Sequence, residues 1–485
     1  MELQQLLDHL LFECQQPLTN IPINGVTDSS SDVKPGFIFV AIKGYQTDGH
    51  DYIDDAVSKG AAAVIGEKDE AVTSIPYIKV ENSKKALGIV SGAYYQNPSQ
   101  NKIMIGITGT NGKTTTSYMV KHILEYIGYS CSLIGTIQNI VNGEQTATQN
   151  TTPNALKINQ ILSKSNDDII IMEASSQGLA EYRLEGIEFD ICLFTNLSHE
   201  HLNYHGSLEQ YFEAKALLFS KLKPGGTAII NADDYYGEKL LHRLQTQRIS
   251  TITFGETADA DVQMKDLKLS HPYSVRLKDG VRTYEVTSPI PGYHNLFNVA
   301  IAYSCAKVLH SSQVEINEAI ESFPGVEGRF NMITFPNGAI VVIDHAHTPD
   351  AVLNCLQTSS ESKNGKLYHV FGFKGDKDTE KRKEMVKISS EISDYYILTL
   401  DNLNSVPKDE MVHTLKELDE EFGNEKGEII ADRTLAIEKA LSMSKEGDWI
   451  VVSGKGHQAY QHTYHYPSHS DKETVLFFKE KTPEK

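Results

Sequence analysis

Residues 102–115 read KIMIGITGTNGKTT and run on, through Thr116, into SYMVKHILEYIG at 117–128. KIMIGIT is a continuous apolar run of the kind that fills a strand buried on both faces, and the second stretch has helical spacing. Between them Gly109, Thr110, Asn111, Gly112, Lys113, Thr114 and Thr115 make a glycine loop at a strand-to-helix junction. In such a loop backbone N–H groups and a helix N-terminus receive phosphate, the lysine (Lys113) approaches the terminal phosphates, and the hydroxyl (Thr114) faces Mg²⁺. The spacing is not the strict GxxxxGK[ST], because Ile107 stands five before Gly112 and the nearest glycines are Gly106 and Gly109. The flanking strand and helix therefore carry the reading as much as the glycines do.

Outward from this loop the buried-strand pattern recurs as IIIMEAS (169–175), ICLFTNL (191–197) and TAIINAD (227–233), separated by helical stretches. That alternation predicts a parallel sheet covered on both faces. Upstream, an amphipathic opening helix in MELQQLLDHLLFE, then FIFVAI (37–42), AAAVIG (61–66) and YIKV (77–80), describe a small α/β module that ends at a polar linker, Gln96 to Ser99. Downstream of a break at Pro324–Gly328, the runs AIVVIDHAH, LYHVFGF, YYILTL and DWIVVSG describe a doubly wound domain with functional residues expected at strand C-termini. The expected fold class is α/β in three domains: a small module at 1–98, a central phosphate-loop domain with a parallel sheet at 99–325, and a Rossmann-like domain at 326–485.

Composition narrows the function. A net charge of -19 argues against a general nucleic-acid binder, since phosphate backbones are held mainly by Lys and Arg. The five cysteines are scattered without a CxxC pair, so neither a disulfide framework nor a zinc knuckle is expected. No apolar run approaches the roughly 20 residues that span a bilayer, and the N-terminus lacks a basic n-region, so a cytoplasmic protein is expected. Other candidates are Glu173 at the end of IIIMEAS, His201 and His205 in FTNLSHEHLNYHG, and Lys215 in YFEAKALLFSKL. Taken singly these read as a solvated carboxylate, surface histidines and an exposed helical lysine; Asn203 stands where the zinc motif HExxH needs its second histidine.

GTNGKTT resembles the phosphate loop of the Mur ligases and folylpolyglutamate synthases, and the matches continue in order over nearly the whole chain. The resemblance implies ATP and two Mg²⁺, held by Thr114, Glu173, His201 and a carbamylated Lys215. His201 matches the histidine of TNL..DHL..HG, with Glu200 in place of the family's Asp, and Lys215 matches the lysine of Y..AK..LF. Gly292-Tyr293-His294-Asn295-Leu296-Phe297-Asn298 is similar to G.HN..N, which implies adenine-side contacts for Asn295 and Asn298. Arg329 and the Asp344-to-Asp350 run are similar to the GR and DYAHTPD elements through which the third domain closes on ATP. GFKGDKDTEKR resembles G.GGDRDKGKR, with Lys377 for an arginine and Thr379 for a lysine.

The N-terminal module is similar to that of the MurE-type branch, which binds UDP-MurNAc-L-Ala-D-Glu. On that resemblance Ser29, Tyr45, Gln46 and Thr47 meet the UDP end, with Ser30 where the usual pattern has an arginine. Asn150, Thr151, Thr152, Ser175 and Arg183 match the NTTP, SS and R.L positions for the sugar-peptide, and Gln177 replaces the usual histidine. Asp401, Asn404, Gly454 and Gln458 match the amino-acid site. Diaminopimelate-adding enzymes carry DNPR and GKGHE there; this chain has DNLN and GKGHQ, so both charged contacts become neutral amides. The implied activity is ATP-dependent addition of an amino acid (L-lysine, meso-diaminopimelate or an atypical one) to the UDP-linked muramoyl dipeptide through an acyl phosphate, by a monomer, in peptidoglycan precursor synthesis. Four readings stand beside it: a MurE-like paralogue with another acceptor, a folylpolyglutamate-synthase-like ligase, a non-catalytic precursor-binding regulator, and a kinase or GTPase. The last finds no guanine-reading NKxD and no acidic catalytic loop.

Overall fold

The computed structural model describes residues 1–69, 74–309, 312–376 and 379–482. Short runs of β-branched and aromatic residues form the strands, and they assemble into three separate sheets. The first holds four parallel strands in sequence order: β1 (Gly25–Thr27), β2 (Phe37–Val40), β3 (Ala63–Gly66) and β4 (Tyr77–Lys79). The expected opening helix is confined to Leu3–Leu7, whose Leu3, Leu6 and Leu7 are buried while Leu11 and Phe12 beyond it lie exposed. The linker forms a single 3₁₀ turn, Pro98–Asn101, entered through left-handed Gln96 and Asn97.

The central sheet has eleven strands: β5 (Ile103–Thr108), β6 (Cys131–Ile134), β7 (Gln138–Val141), β8 (Glu144–Ala147), β9 (Ile169–Glu173), β10 (Phe189–Phe194), β11 (Leu222–Asn231), β12 (Ser250–Gly255), β13 (Val262–Lys268), β14 (Tyr273–Asp279) and β15 (Arg282–Ser288). Their order is β15-β14-β13-β12-β11-β10-β5-β9-β6-β7-β8. The middle is parallel, as the apolar runs require, and both margins are antiparallel ribbons. The expected parallel sheet is thus present, and the antiparallel margins extend it. In β14 and β15 apolar residues alternate with charged ones, YSVRLKD and RTYEVTS, so one face is solvated. β5 lies between β9 and β10, where the chain turns from building one side of the sheet to building the other; this is the switch point at which such sheets bind ligands.

The third sheet runs β16-β17-β21-β18-β19-β20, from β16 (Asn331–Thr334), β17 (Ile340–Ile343), β18 (Leu367–Phe373), β19 (Tyr395–Leu400), β20 (Gly427–Ile429) and β21 (Trp449–Val452). Only β16 is antiparallel. Among the described residues no helix is long and apolar enough to cross a membrane, and all five cysteines are unpaired.

Candidate active site

The loop after β5 turns into the helix Lys113–Tyr126 through two glycines that no other residue could replace without a shift. Gly109 has φ +147° and a Cβ there would lie 1.8 Å from Thr195 Oγ1; Gly112 has φ +86° and a Cβ would lie 2.5 Å from Asn298 Oδ1. The loop is held from the end of β10: Asn196 accepts from Thr110 N with its carbonyl and from Asn111 N with its side chain, both at 2.9 Å, and Thr195 Oγ1 donates to Asn111 O at 2.6 Å.

Two lysines converge on this loop. Lys113 Nζ donates to Gly109 O and Thr110 O, each at 2.8 Å, and Lys215 Nζ, from the helix Leu208–Ala216, donates to the same Gly109 O at 2.7 Å. Lys215 is 1% exposed, against its isolated reading as a surface lysine, and its ammonium side lies 4.3 Å from the Tyr211 ring centre. Burial, with the Lys113 charge beside it, pushes the Lys215 amine well below the ordinary lysine range. Burial also lowers Lys113, while Glu200 and Glu173 act in the other direction.

Glu173 is fully buried and saturated with donors, not solvated as its isolated position suggested. Its Oε2 accepts from Thr114 Oγ1 at 2.9 Å and Thr136 Oγ1 at 2.7 Å; its Oε1 accepts from Thr136 N at 3.1 Å and Ser117 Oγ at 3.4 Å. Among the described residues no three His, Cys, Asp or Glu side chains form a metal cage. A Mg²⁺ that keeps waters and phosphate oxygens needs only one or two protein oxygens, and Thr114 with Glu173 supplies that donor set. His201 is 57% exposed in its side chain, with φ +56°, and stands 3.8 Å from Glu200. Partial removal from water, with the Lys113 and Lys215 charges nearby, lowers its imidazole below the usual range against the pull of Glu200.

The third domain reaches this loop with three contacts. Arg329 Nη2 donates to Thr114 Oγ1 at 3.4 Å, Asp350 accepts from Asn111 Nδ2 at 2.9 Å, and His347 Nε2 lies 3.3 Å from Glu200 Oε1. Asp344 is tied by Phe330 N and Ala346 N, both at 2.6 Å. Burial raises its carboxyl, opposed by the Arg329 charge. The loop, the start of the helix Tyr293–Val308 and the third domain enclose a cavity of about 400 Å³ lined by Asn111, Asn295, Asn298, Arg329 and Asp344. Thr115, buried, also lines it. Asn298 accepts from Thr116 Oγ1 at 3.2 Å and donates to Asn295 Oδ1 at 3.0 Å, while Asn295 donates to Pro291 O at 2.7 Å. The two asparagines thus brace the loop as well as the cavity.

Of the expected sugar-peptide residues, four gather beside Glu173. Thr152 Oγ1 bonds Glu173 O at 2.8 Å and Ser175 Oγ at 3.1 Å, Arg183 Nη1 donates to Thr152 O at 2.9 Å, and Thr151 Oγ1 meets Thr136 Oγ1 at 3.1 Å. The first domain joins them where Asn154 Nδ2 donates to Asp28 Oδ2 at 2.8 Å, next to Ser29. Gln46, Thr47 and Asn150 lie on exposed turns away from this group's hydrogen bonds. Tyr45 is 75% exposed and spends its hydroxyl on Glu181, at 2.6 Å, which also receives Tyr204 at 2.8 Å and Lys84. That hub joins the first domain to the second, and sequence reasoning missed it, because nothing local links residues 97 positions apart.

In the third domain Asp401 pairs with Lys455 at 2.9 Å, a Cβ on Gly454 would stand 3.4 Å from Asp401 Oδ2, Asn404 Nδ2 donates to Gly375 O at 2.5 Å, and Gln458 Oε1 accepts from Lys374 Nζ at 3.2 Å. Lys374 escaped the sequence reading; its signal was a lysine at the third place of GFKG, where the resembling G.GG has glycine. Lys377 lies outside the described residues, and Thr379 stands just before the helix Glu380–Ile392.

A glycine phosphate loop at the switch point of a central sheet, met by an arginine from a third α/β domain, defines a three-domain phosphate-loop enzyme. Three family models cover most of the chain: the Mur ligase family catalytic domain over residues 22–101, the Mur ligase middle domain over 107–306, and the Mur ligase glutamate ligase domain over 328–456. The chain is 37% identical over 477 residues to the UDP-N-acetylmuramoyl-L-alanyl-D-glutamate--2,6-diaminopimelate ligase of Bacillus velezensis, covering 95% of each. It is 37% identical over 467 residues to the enzyme of that name from Clostridium botulinum, covering 94% of each. A solved structure of such a ligase superposes with a TM-score of 0.72 at 27% identity, over 99% of both chains. The chain belongs to the Mur ligase family.

Proposed function

We propose that the chain is an ATP-dependent ligase that forms an amide bond between UDP-MurNAc-L-Ala-D-Glu and an incoming amino acid, in peptidoglycan precursor synthesis in the cytoplasm. The observation that carries this is the convergence of Lys113, Lys215, Thr114 and Glu173 on one loop, with Arg329 brought onto Thr114 from another domain. Phosphoryl transfer depends on positioning and charge neutralisation more than on covalent help from the protein, and this loop supplies both. The working division is 1–98 for the UDP end, 99–325 for ATP and 326–485 for the amino acid and closure, in a monomer.

Lys113 and Arg329 would hold charge on the γ-phosphoryl group as it passes to the D-Glu side-chain carboxylate, forming an O–P bond and releasing ADP. The amine of the amino acid then attacks the carbonyl carbon; a C–N bond forms, phosphate leaves and the amine proton is lost. No side chain is assigned as its acceptor. Two Mg²⁺ would neutralise phosphate charge at Thr114–Glu173 and at His201–Lys215. For the second site Lys215 must first be carbamylated, and its environment favours that: a buried amine held neutral can attack CO₂, losing one proton and becoming an oxygen ligand. Thr151, Thr152, Ser175 and Arg183 would seat the muramoyl dipeptide beside Glu173, and Asn295 and Asn298 the adenine side.

A folylpolyglutamate-synthase-like activity is disfavoured by the N-terminal domain match at 22–101. A purely regulatory role is disfavoured by the retention of Lys113, Glu173, His201 and Lys215. The deciding experiment measures ADP and phosphate release with UDP-MurNAc-L-Ala-D-Glu and a panel of amino acids, with mass spectrometry of the product. Release that needs both substrates, with a product heavier by one residue, is expected; ATP turnover indifferent to the muramoyl dipeptide would overturn the reading and favour another acceptor.

A further inference from the structure

β21, β18 and β19 are adjacent and parallel, and their C-terminal ends form one edge of the third sheet. From them come Gly454–Gln458, Lys374 and Asp401–Asn404. The one carboxylate among these, Asp401, is 1% exposed and already engaged by Lys455 Nζ at 2.9 Å and Asn402 N at 2.6 Å. Asn404 has turned its NH₂ inward to Gly375 O. Lys374 is half-buried and has no carboxylate within ion-pair reach among the described residues; its ammonium meets the neutral Gln458 Oε1 at 3.2 Å. An ammonium can only donate, so the Gln458 amide must present its oxygen to Lys374, leaving its own NH₂ for another partner. Among the described residues neither that NH₂ nor the remaining N–H groups of Lys374 meet a side-chain acceptor beyond the one bond to Gln458 Oε1.

The surface continues toward the phosphate loop. A Cβ on Gly328 would lie 2.2 Å from His457 N, so the turn carrying Arg329 is pressed directly on the Gly454–Gln458 loop. Arg329 Nε and His457 Nδ1 are both buried without a hydrogen-bond partner. Arg329, Lys374 and the Gln458 NH₂ therefore offer donors and positive charge to a carboxylate, whereas Asp401, the carboxylate on which the Lys374 charge also acts, is already paired with Lys455. β18 lies two strand positions from β17, and the helix Pro349–Ser362 that follows β17 meets the phosphate loop at its start, a separation of about 10 Å at usual strand spacing. An α-carboxylate sits two bonds from the attacking amine and stays near the phosphate; a carboxylate at the far end of a four-carbon side chain can span to Lys374.

Resting on the ligase function above, we propose that Lys374 and Gln458 receive a carboxylate on the side chain of the incoming amino acid, and that the chain discriminates against side chains ending in an ammonium alone. Three compounds of matched length separate the possibilities: L-2-aminopimelate carries only the distal carboxylate, L-lysine only the distal amine, and meso-diaminopimelate both. Their affinities for the full chain with ADP and muramoyl dipeptide bound are measured by titration calorimetry, and KM and kcat by ADP release. L-2-aminopimelate is expected to bind about tenfold or more tighter than L-lysine, with meso-diaminopimelate between them. Lys374→Met should raise KM for L-2-aminopimelate about tenfold with little change in kcat, and leave L-lysine unaffected. Gln458→Glu, which pairs off the cation and offers an anion, should move the preference toward L-lysine without relying on the Lys374 variant to fold. Tighter binding of L-lysine by the unmodified chain, or an equal loss for all three compounds in Lys374→Met, would overturn the proposal. ADP release dependent on the muramoyl dipeptide with any of the three upholds the ligase function whatever the order. The expected binding order without turnover would sink the ligase function and leave the carboxylate receptor standing.

Discussion

Replacing Glu173 with glutamine asks whether this carboxylate holds a metal or only ties the loop to the sheet. Four donors converge on it: two threonine hydroxyls on Oε2, and the Thr136 N–H and the Ser117 hydroxyl on Oε1. Hydroxyls rotate and can accept, whereas a backbone N–H cannot. The introduced amide must therefore keep its oxygen toward Thr136 N and turn its NH₂ to Thr114 and Thr136 Oγ1. Thr136 can turn its hydroxyl to Thr151 Oγ1, and what is lost is chiefly the charge assistance on two short bonds, about 1 kcal/mol each, partly offset by no longer burying a charge. Glu173→Gln should then cost about 1–2 kcal/mol in denaturant unfolding of the ligand-free chain. The functional effect should be larger. A ligand at 100 times its Kd stabilises a protein by about 2.7 kcal/mol, and in Glu173→Gln the Mg²⁺-dependent part of the stabilisation by ADP should disappear while the Mg²⁺-independent part persists. An unchanged Mg²⁺-dependent stabilisation would refute a metal-holding role. A ligand-free loss above about 3 kcal/mol would refute the reasoning about rotating hydroxyls, since a buried group left unpaired adds about 1–3 kcal/mol to the lost charge assistance.

Lys215→Ala should abolish turnover and leave no response to added bicarbonate, whereas the unmodified chain should gain activity with bicarbonate and show a carbamate on Lys215 by ¹³C NMR with labelled CO₂; a fully active Lys215→Ala enzyme would sink that assignment. Arg433 and Asp471, both 0% exposed in their side chains, pair at 2.6 Å, so Arg433→Ala strands a buried carboxylate and should cost about 3–5 kcal/mol in chemical denaturation. Burial holds the imidazoles of His369 at about 3 and His294 at about 4, below their ordinary 6.5. The unfolded chain therefore takes up protons first, and stability should be greatest above pH 6.5 and fall as pH drops toward 3–4. The slope is at most about 1.4 kcal/mol per pH unit for each group. His369→Gln should flatten thermal melting against pH in that window; an unchanged slope would remove His369 from the account.

The features legible in the chain's own residues are local. Apolar runs such as IMIGIT and IIIME, short and rich in β-branched isoleucine, read as strands buried on both faces, and the junction at Gly109–Thr115 announces a phosphate loop because backbone donors and a helix start coincide there. The resemblance added the candidate roles of Glu173, His201 and Lys215, which single residues did not reveal. Long-range packing puts Lys215 on the same carbonyl as Lys113, saturates Glu173, and spends the Tyr45 hydroxyl on a domain junction. The antiparallel margins of the central sheet likewise come from strand pairing. Lys374 and Gln458 are 84 positions apart, and a lysine in GFKG becomes an anion receptor only where β18 and β21 lie side by side. Periodicity reports which face of an element is buried; which side chains meet across elements depends on strand order and domain closure, which short-range patterns do not encode.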